Sequence, residues 1–270
     1  MSEAEMLAGK APFHLSGTGS EAVLCIHGFT GAPGVFRKLG SVFHREGLSV
    51  YAPLLPGHGT SPEFLANATG QQWINAVEQA YEDLLSGCER VHIIGLSLGG
   101  TLATLLAANH VHETGIGSVT LLSPGYGFNR ALSERLHLDV WTDSPEHYGR
   151  MIPIPRRVPQ NDEMDECIFG YDAAPYSIFG QVLALNKAAR DAWPQVTAPV
   201  LLLYAETDAV VDAASCREAA EKLPNVEESC GFQKSEHNLL LGCDRAETIQ
   251  RCTAFIRRHR LDTREGGVAG

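Results

Sequence analysis

The fold is decided by the stretch Val91-His92-Ile93-Ile94-Gly95-Leu96-Ser97-Leu98-Gly99. Its first four residues form a β-branched run typical of a buried parallel strand. Residues 99–109 are small and apolar all round, as in a helix buried beside a sheet. The turn between them contains the only Gly-x-Ser-x-Gly of the chain. Glycines on either side keep side chains out of so tight a turn, so the pattern predicts an exposed, nucleophilic Ser97 hydroxyl at the positive end of a helix.

The rest of the chain repeats this alternation of strand and helix. Short apolar runs predict further buried strands at 22–26, 48–52, 119–122 and 199–205, and a last strand is expected at 226–232. The spacing of apolar residues predicts helices that end at Gly47 and Gly87, a helix over 213–222, and a last helix beginning at Asp244. Asp244 is expected to cap that helix together with Glu247, three residues on. This alternation indicates an α/β fold with a mostly parallel sheet flanked by helices.

The alternation breaks between residues 124 and 195, where no strand is evident. The segment holds nine aromatic residues, namely Tyr126, Phe128, Trp141, Tyr148, Phe169, Tyr171, Tyr176, Phe179 and Trp193. The sequence therefore predicts a core of residues 1–123 and 196–270 and an inserted cap, or lid, of residues 124–195. The aromatic side chains would either form a small core of their own or line a ligand pocket. Arg156 and Arg157 would meet either an anionic substrate or the acidic run 161–166.

A second glycine-rich turn, His27-Gly28-Phe29-Thr30-Gly31, follows the predicted strand 22–26. Glycine lets the chain turn sharply here, so the backbone N–H of Phe29 can point into the site opposite Ser97. Paired with the N–H of Leu98, it would form an oxyanion hole, which binds the negative oxygen that develops when a carbonyl is attacked. The alternative is an ordinary loop between a strand and a helix.

A serine nucleophile needs a base, and the base needs a carboxylate to orient it. Asp208 is the predicted acid because it lies three residues after the strand 199–205, which suits the order serine, acid, histidine. Glu206 and Asp212 are its rivals. Asp212 immediately precedes a helical stretch and is better explained as the N-cap of that helix.

His237 is the predicted base because it lies in a polar loop after the last predicted strand. His58 lies in Pro56-Gly57-His58-Gly59, where the two glycines alone account for a turn, although the histidine could face the site. Four further histidines lie on predicted strands or helices and are interpreted as structural or solvated. They are His92, His110, His112 and His259.

Taken together, these motifs resemble those of the serine α/β-hydrolases, and within them the bacterial carboxylesterases and monoacylglycerol lipases. The resemblance covers about residues 12–123 and 197–258. It implies that Ser97 is the nucleophile, that Asp208 and His237 complete the triad, and that Phe29 and Leu98 supply the oxyanion N–H groups. The surroundings of the base depart from the family pattern, since Glu236 precedes it and Cys243 stands where an acidic residue often follows.

Composition excludes several other classes of protein. The chain of 270 residues has a formal net charge of −11, which disfavours nucleic-acid binding because phosphate neutralisation needs a basic face. No apolar run approaches the length of a transmembrane helix, and the acidic N-terminus does not resemble a signal peptide. Seven cysteines without a Cys-x-x-Cys pair indicate neither a disulfide framework nor a zinc site. We therefore expect a cytoplasmic enzyme without a cofactor or metal, whose partner is a small-molecule ester.

The expected reaction is hydrolysis of esters with short to medium acyl chains, or of monoacylglycerols, through an acyl-enzyme. A cap of this size suggests a bounded cavity and an optimum at roughly four to ten carbons. The same triad could instead cleave small-molecule amides or carbon–carbon bonds, or remain in a ligand sensor that does not turn over. Epoxide hydrolases and dehalogenases of this fold are disfavoured, because they use an aspartate where this chain has Ser97.

Overall fold

The computed structural model describes residues 9–111, 114–138, 149–154 and 170–261. Several residues singled out from the sequence lie outside these ranges, namely His112, Trp141, Tyr148, Arg156, Arg157, the acidic run 161–166, Phe169 and the tail from 262 onward.

A seven-stranded sheet forms the centre of the described structure, with the strand order β1-β3-β2-β4-β5-β8-β9. Its strands are β1 (Phe13–Leu15), β2 (Glu21–Ile26), β3 (Ser49–Ala52), β4 (Arg90–Leu96), β5 (Ile116–Leu122), β8 (Val200–Ala205) and β9 (Val226–Phe232). All neighbours are parallel except β1, which pairs antiparallel with β3. The predicted mostly parallel sheet is confirmed; the short edge strand β1 was not predicted.

Helices cover both faces of this sheet. Before the segment 124–195 they are α1 (Arg37–Arg45), α2 (Pro62–Leu65), α3 (Gly70–Leu85) and α4 (Leu98–Asn109), and after it α7 (Ala213–Lys222) and α8 (Arg245–Arg258). Successive side chains of a strand point to opposite faces. In β2, Leu24 accordingly joins the apolar cluster under α3, α4 and α7, whereas Val23 joins the cluster under α1 and α8. The central strands β2, β4, β5 and β8 are therefore buried on both faces, which explains their mostly apolar sequences, whereas the edge strand β9 is partly exposed.

Between β5 and β8 the chain forms a separate group of elements. They are α5 (Arg130–Leu136), β6 (Met151–Pro153), β7 (Ala173–Pro175) and α6 (Phe179–Ala192). The expectation of no clear strand was wrong, because β6 and β7 pair antiparallel. Each is only three residues long and ends in proline, so neither shows the alternation by which strands are recognised. Helix α6 packs against α4 and connects this segment to the core.

Two of the predicted helix caps have different outcomes. Asp212 caps α7 as expected, because its Oδ1 accepts a hydrogen bond of 3.0 Å from the N–H of Ala214. The capping box predicted for α8 was wrong: Asp244 occupies the N-cap position but makes no side-chain cap bond. Its carboxylate instead accepts from the hydroxyl of Ser235, at 2.9 Å.

No helix in the described part of the chain combines the length and the apolar character that crossing a membrane requires.

Candidate active site

Ser97 occupies a strained turn between β4 and α4. Its φ is +55° and its ψ −117°, a conformation that residues with a side chain rarely adopt. The turn is possible because of two glycines. A Cβ on Gly95 would lie 2.2 Å from the carbonyl oxygen of Gly99, and a Cβ on Gly99 would lie 1.9 Å from that of Ile26. Ser97 is thus held at the carboxyl end of the sheet, and it remains half-buried rather than enclosed.

The turn of residues 28–31 lies directly beside Ser97. A Cβ on Gly28 would be 3.2 Å from the Cβ of Ser97 and 3.8 Å from its Oγ, so only glycine leaves this approach free. The turn is closed by a hydrogen bond of 3.0 Å from the N–H of Gly31 to the carbonyl of Gly28. Residues 28–31 are called the oxyanion loop below.

Two backbone N–H groups near Ser97 have no protein acceptor among the described residues. One belongs to Leu98, the first residue of α4, which has no helical carbonyl four residues before it. The other belongs to Phe29, in the oxyanion loop. These are the two donors that the sequence analysis selected.

Asp208 and His237 are in direct contact. The Nδ1 of His237 lies 2.6 Å from Oδ2 of Asp208, and Oδ1 accepts hydrogen bonds from the N–H groups of Val210 and Val211, at 2.7 and 3.0 Å. Burial alone would raise the pKa of the Asp208 carboxyl. The charge and hydrogen bond of His237, together with the two N–H groups, outweigh burial and hold this pKa below its ordinary value. The carboxylate is therefore ionised and oriented toward the imidazole.

The rival carboxylates have other partners. Asp212 caps α7, and Glu206 forms an ion pair with Arg217 on that same helix. Both Asp208 and His237 follow the carboxyl ends of parallel strands, β8 and β9, as Ser97 follows β4. The carboxyl ends of parallel strands meet at one edge of a sheet, so all three residues lie at the same edge.

The loop that carries His237 is fastened by a pair of residues that the sequence analysis did not assign to the site. Ser235 is fully buried, and its hydroxyl donates to Oδ2 of Asp244 and accepts from the Asp244 N–H, at 2.9 and 3.1 Å. Asp244, rather than Cys243, is thus the acidic residue that follows the base, and its partner is Ser235.

The loop that carries Asp208 is bound by Asn129. Asn129 donates from Nδ2 to the backbone carbonyl of Asp208 at 2.9 Å, while its Oδ1 accepts from the N–H of Ala131 at the start of α5. No pattern in the sequence pointed to this contact, because it joins residues 79 positions apart.

His58 and His27 lie behind the oxyanion loop as buried, neutral side chains. The Nε2 of His58 accepts from the N–H of Thr30 at 3.2 Å, and the Nε2 of His27 accepts from the N–H of Leu55 at 3.0 Å. Burial lowers the pKa of His27 to about 3 and that of His58 to about 4. An unprotonated Nε2 is what each contact requires, so both rings serve as acceptors for backbone N–H groups.

Aromatic residues of the segment 124–195 pack in two groups within a single apolar cluster. Phe179 packs edge-on against Phe29, with ring centroids 5.5 Å apart, and Phe128 lies 5.9 Å from Phe179. Tyr126 and Trp193 instead pack on each other at 5.0 Å, within the apolar cluster beneath α4. These rings therefore extend the apolar cluster of the core rather than form a core of their own.

Among the residues that the structure describes, no group of three or more His, Cys, Asp or Glu side chains is arranged to hold a metal ion.

The profile of the alpha/beta hydrolase family matches residues 23–248. The chain is 27% identical over 255 residues to a thermostable monoacylglycerol lipase of Bacillus sp. (strain H-257), covering 94% of this chain and 97% of that protein. It is 41% identical over 96 residues to a carboxylesterase of Bacillus subtilis (strain 168), covering 35% of this chain and 39% of the relative.

Among solved structures, the chain is similar to a metagenome-derived lipolytic enzyme of the pair LipS and LipT. The TM-score is 0.81 at 25% sequence identity, and the match covers 93% of this chain and 98% of the other. The sheet and the helices around it are therefore shared over almost the full length of both chains.

Proposed function

The chain belongs to the alpha/beta hydrolase family, and from this premise we propose that it hydrolyses carboxylic esters with Ser97 as nucleophile. The observation that carries the proposal is the conformation of Ser97, whose φ of +55° persists in a turn built around Gly95 and Gly99. Backbone strain of this kind costs on the order of 1–3 kcal/mol and is found mostly where function requires it.

In the proposed mechanism His237 takes the proton of the Ser97 hydroxyl while Oγ attacks the ester carbonyl. The carbonyl oxygen becomes negative and is bound by the N–H groups of Phe29 and Leu98. His237 then gives its proton to the leaving alcohol, and an acyl group remains on Ser97. Water, activated by the same imidazole, attacks this acyl-enzyme and releases the acid.

Asp208 supports both halves of this cycle. Its hydrogen bond to Nδ1 keeps the proton of neutral His237 on that atom, so that Nε2 is free to act as the base. Its negative charge also stabilises the imidazolium that forms in each step.

We further propose that residues 124–195 act as a cap over the core formed by residues 1–123 and 196–270. The contact of Phe179 with Phe29 supports this role, because it places an apolar side chain of the segment beside the oxyanion loop. An apolar wall there favours the acyl part of a substrate, and we propose short to medium acyl chains of about four to ten carbons. Monoacylglycerols are included, because a relative that covers nearly the whole chain is a monoacylglycerol lipase.

The test is a series of p-nitrophenyl esters from acetate to palmitate, together with a monoacylglycerol, assayed with the wild type and with Ser97→Ala. We expect turnover by the wild type and a loss of about 10⁴-fold or more in the folded variant. A folded wild type that binds these esters without turning them over would instead be a ligand sensor. A variant that kept a tenth of the wild-type rate would exclude Ser97 as the nucleophile.

A further inference from the structure

The oxyanion loop contains a strained residue of its own, Thr30. Thr30 has a φ of +61°, in the left-handed region that favours glycine, and its side chain is buried. It is the third residue of the tight turn that Gly28 and Gly31 close, a position where glycine is usual when φ is positive. Such a conformation persists only when its surroundings hold it.

Both polar groups of the Thr30 backbone are held, from opposite sides. Its N–H donates to Nε2 of His58, at 3.2 Å, and this histidine belongs to the core. Its carbonyl accepts from the backbone N–H of Tyr171, at 2.9 Å, and this tyrosine belongs to the segment 124–195. The conformation of the oxyanion loop is therefore set by two separate parts of the chain.

Tyr171 also contacts His58, the residue that accepts the hydrogen bond from the Thr30 N–H. Its ring stacks on that of His58, with centroids 6.4 Å apart and an interplanar angle of 12°. Its hydroxyl donates to the carbonyl of Gly57 and accepts from the N–H of Thr60, at 2.9 and 3.0 Å. Tyr171 is itself buried, so these contacts form one closed group.

We propose that Tyr171 is a positioning residue for the oxyanion hole, which aims the Phe29 N–H by holding Thr30 directly and through His58. The proposal rests on the proposed function, since it assumes that the Phe29 N–H receives the carbonyl oxygen. It makes the segment 124–195 part of the catalytic geometry as well as a cover for the substrate. Without the Tyr171 side chain, His58 loses its stacked ring and the backbone of residue 171 loses the hydroxyl bonds that hold it in place, so Thr30 is less firmly kept in its strained conformation.

The first experiment compares Tyr171→Leu with the wild type on p-nitrophenyl butyrate. We expect kcat to fall about tenfold with KM changed less than about twofold, because misdirection of a donor weakens the transition state more than the ground state. Binding of phenylboronic acid, which forms a tetrahedral adduct on a catalytic serine, should weaken by the same factor as kcat/KM. Unchanged kcat and unchanged boronic-acid affinity would overturn the proposal.

A matched control separates positioning from general loss of stability. Tyr81→Leu removes another buried tyrosine, in α3, whose ring faces His110 rather than the oxyanion loop. It should lower Tm while leaving the boronic-acid affinity at the wild-type value. If Tyr171→Leu fails to fold, Tyr171→Phe decides. That variant keeps the ring and loses only the two hydrogen bonds of the hydroxyl, so it should lower kcat and boronic-acid affinity together by about two- to threefold; no change in either would overturn the proposal.

The decisive readout is a rescue through Thr30→Gly. Glycine adopts a positive φ without steric cost, so the loop then needs less support from outside. In the Thr30→Gly background, Tyr171→Leu should lower kcat by only about twofold, because the two changes act on the same conformation. A full tenfold loss in both backgrounds would show that Tyr171 acts by another route. Ser97→Ala, measured alongside, tests the proposed function separately: if it remains active, the proposed function fails whatever Tyr171 does.

Discussion

The carboxylate of Asp208 binds His237 with one oxygen and two backbone N–H groups with the other. The two oxygens therefore have different tasks. Oδ1 anchors the side chain to its own loop, through Val210 and Val211, and Oδ2 is left to orient the imidazole. A carboxylate held in this way loses little conformational freedom when it binds the histidine.

We predict that Asp208→Asn lowers kcat by about 10⁴-fold, because the amide neither holds the required tautomer of His237 nor stabilises its imidazolium. The rates of both proteins on one ester give the result. Asp212→Asn is the matched control, and it should cost little because asparagine also caps helices well. An exchange of these two phenotypes would make Asp212 the catalytic acid.

We predict that Gly99→Ala removes activity and lowers the free energy of unfolding by about 3 kcal/mol. The added methyl would lie 1.9 Å from the carbonyl oxygen of Ile26, so β2 and α4 would have to separate and the Ser97 turn would move with them. Denaturant unfolding and esterase assays measure the two effects. Gly87→Ala is the control, since its nearest contact would be an ordinary 3.9 Å from the carbonyl of Leu84. Equal effects of the two substitutions would contradict the packing argument.

We predict that kcat/KM rises with acyl length and then falls, and that Phe179→Leu moves the optimum to longer chains by about two carbons. Each buried CH₂ contributes about 0.8 kcal/mol until the acyl group fills its space, and a smaller side chain beside Phe29 enlarges that space. Phe43→Leu makes the same change in the cluster under α1 and should leave the profile unaltered. A flat profile, or a wild-type peak at palmitate or beyond, would mean that Phe179 does not bound the acyl site.

A further prediction concerns stability and pH at the opposite end of the sheet. Burial works against ionisation of Glu21, but hydrogen bonds from His92, the Leu261 N–H and Arg260 lower its pKa to about 2. A carboxyl with a depressed folded pKa stabilises the fold above its unfolded pKa of 4.5, and that stability is lost as the pH falls toward 2.

Glu21→Gln should therefore lower the free energy of unfolding by roughly 2–3 kcal/mol at pH 7, and the difference from the wild type should shrink steadily between pH 5 and pH 2. Denaturant titrations across this range give the result. Glu228→Gln serves as the control, because Glu228 pairs with Arg251 and Arg258 at a more exposed site. A difference that stays constant with pH would mean that the Glu21 charge is not what stabilises the fold.

The elements that could be predicted from the sequence are those whose burial leaves a periodic pattern. Strand β4 before Ser97 is buried over almost its whole length because helices cover both faces, and α3 shows its buried face through Trp73, Val77 and Tyr81. Helix α6 was not identified, because its pattern lay within a proline- and aromatic-rich segment. Asp244 was assigned to a helix cap because local spacing cannot reveal a partner, Ser235, nine residues away across a loop.

The candidate site divides in the same way. Ser97, Phe29 and Leu98 belong to short motifs in which neighbouring residues carry the signal, and Asp208 and His237 follow from the order of the strands. Asn129 and Tyr171 act on loops about 80 to 140 residues earlier or later in the chain, since Asn129 contacts Asp208 and Tyr171 contacts Thr30. Contacts between residues so far apart in sequence arise from tertiary packing alone, so no local sequence pattern predicts them.

The network around Glu21 repeats the residue types of the candidate triad in a second place. The hydroxyl of Ser118 lies 2.8 Å from Nδ1 of His92, and Nε2 of that ring lies 3.3 Å from Glu21, so a second serine, histidine and carboxylate stand in line. All three are buried, at the end of the sheet opposite Ser97. Ser118 sits within strand β5, without a turn like that of Ser97. The residue types of the candidate triad are thus repeated, although His92 faces its carboxylate with Nε2 whereas His237 faces its carboxylate with Nδ1. A fluorophosphonate probe would distinguish the two serines by their access and backbone geometry.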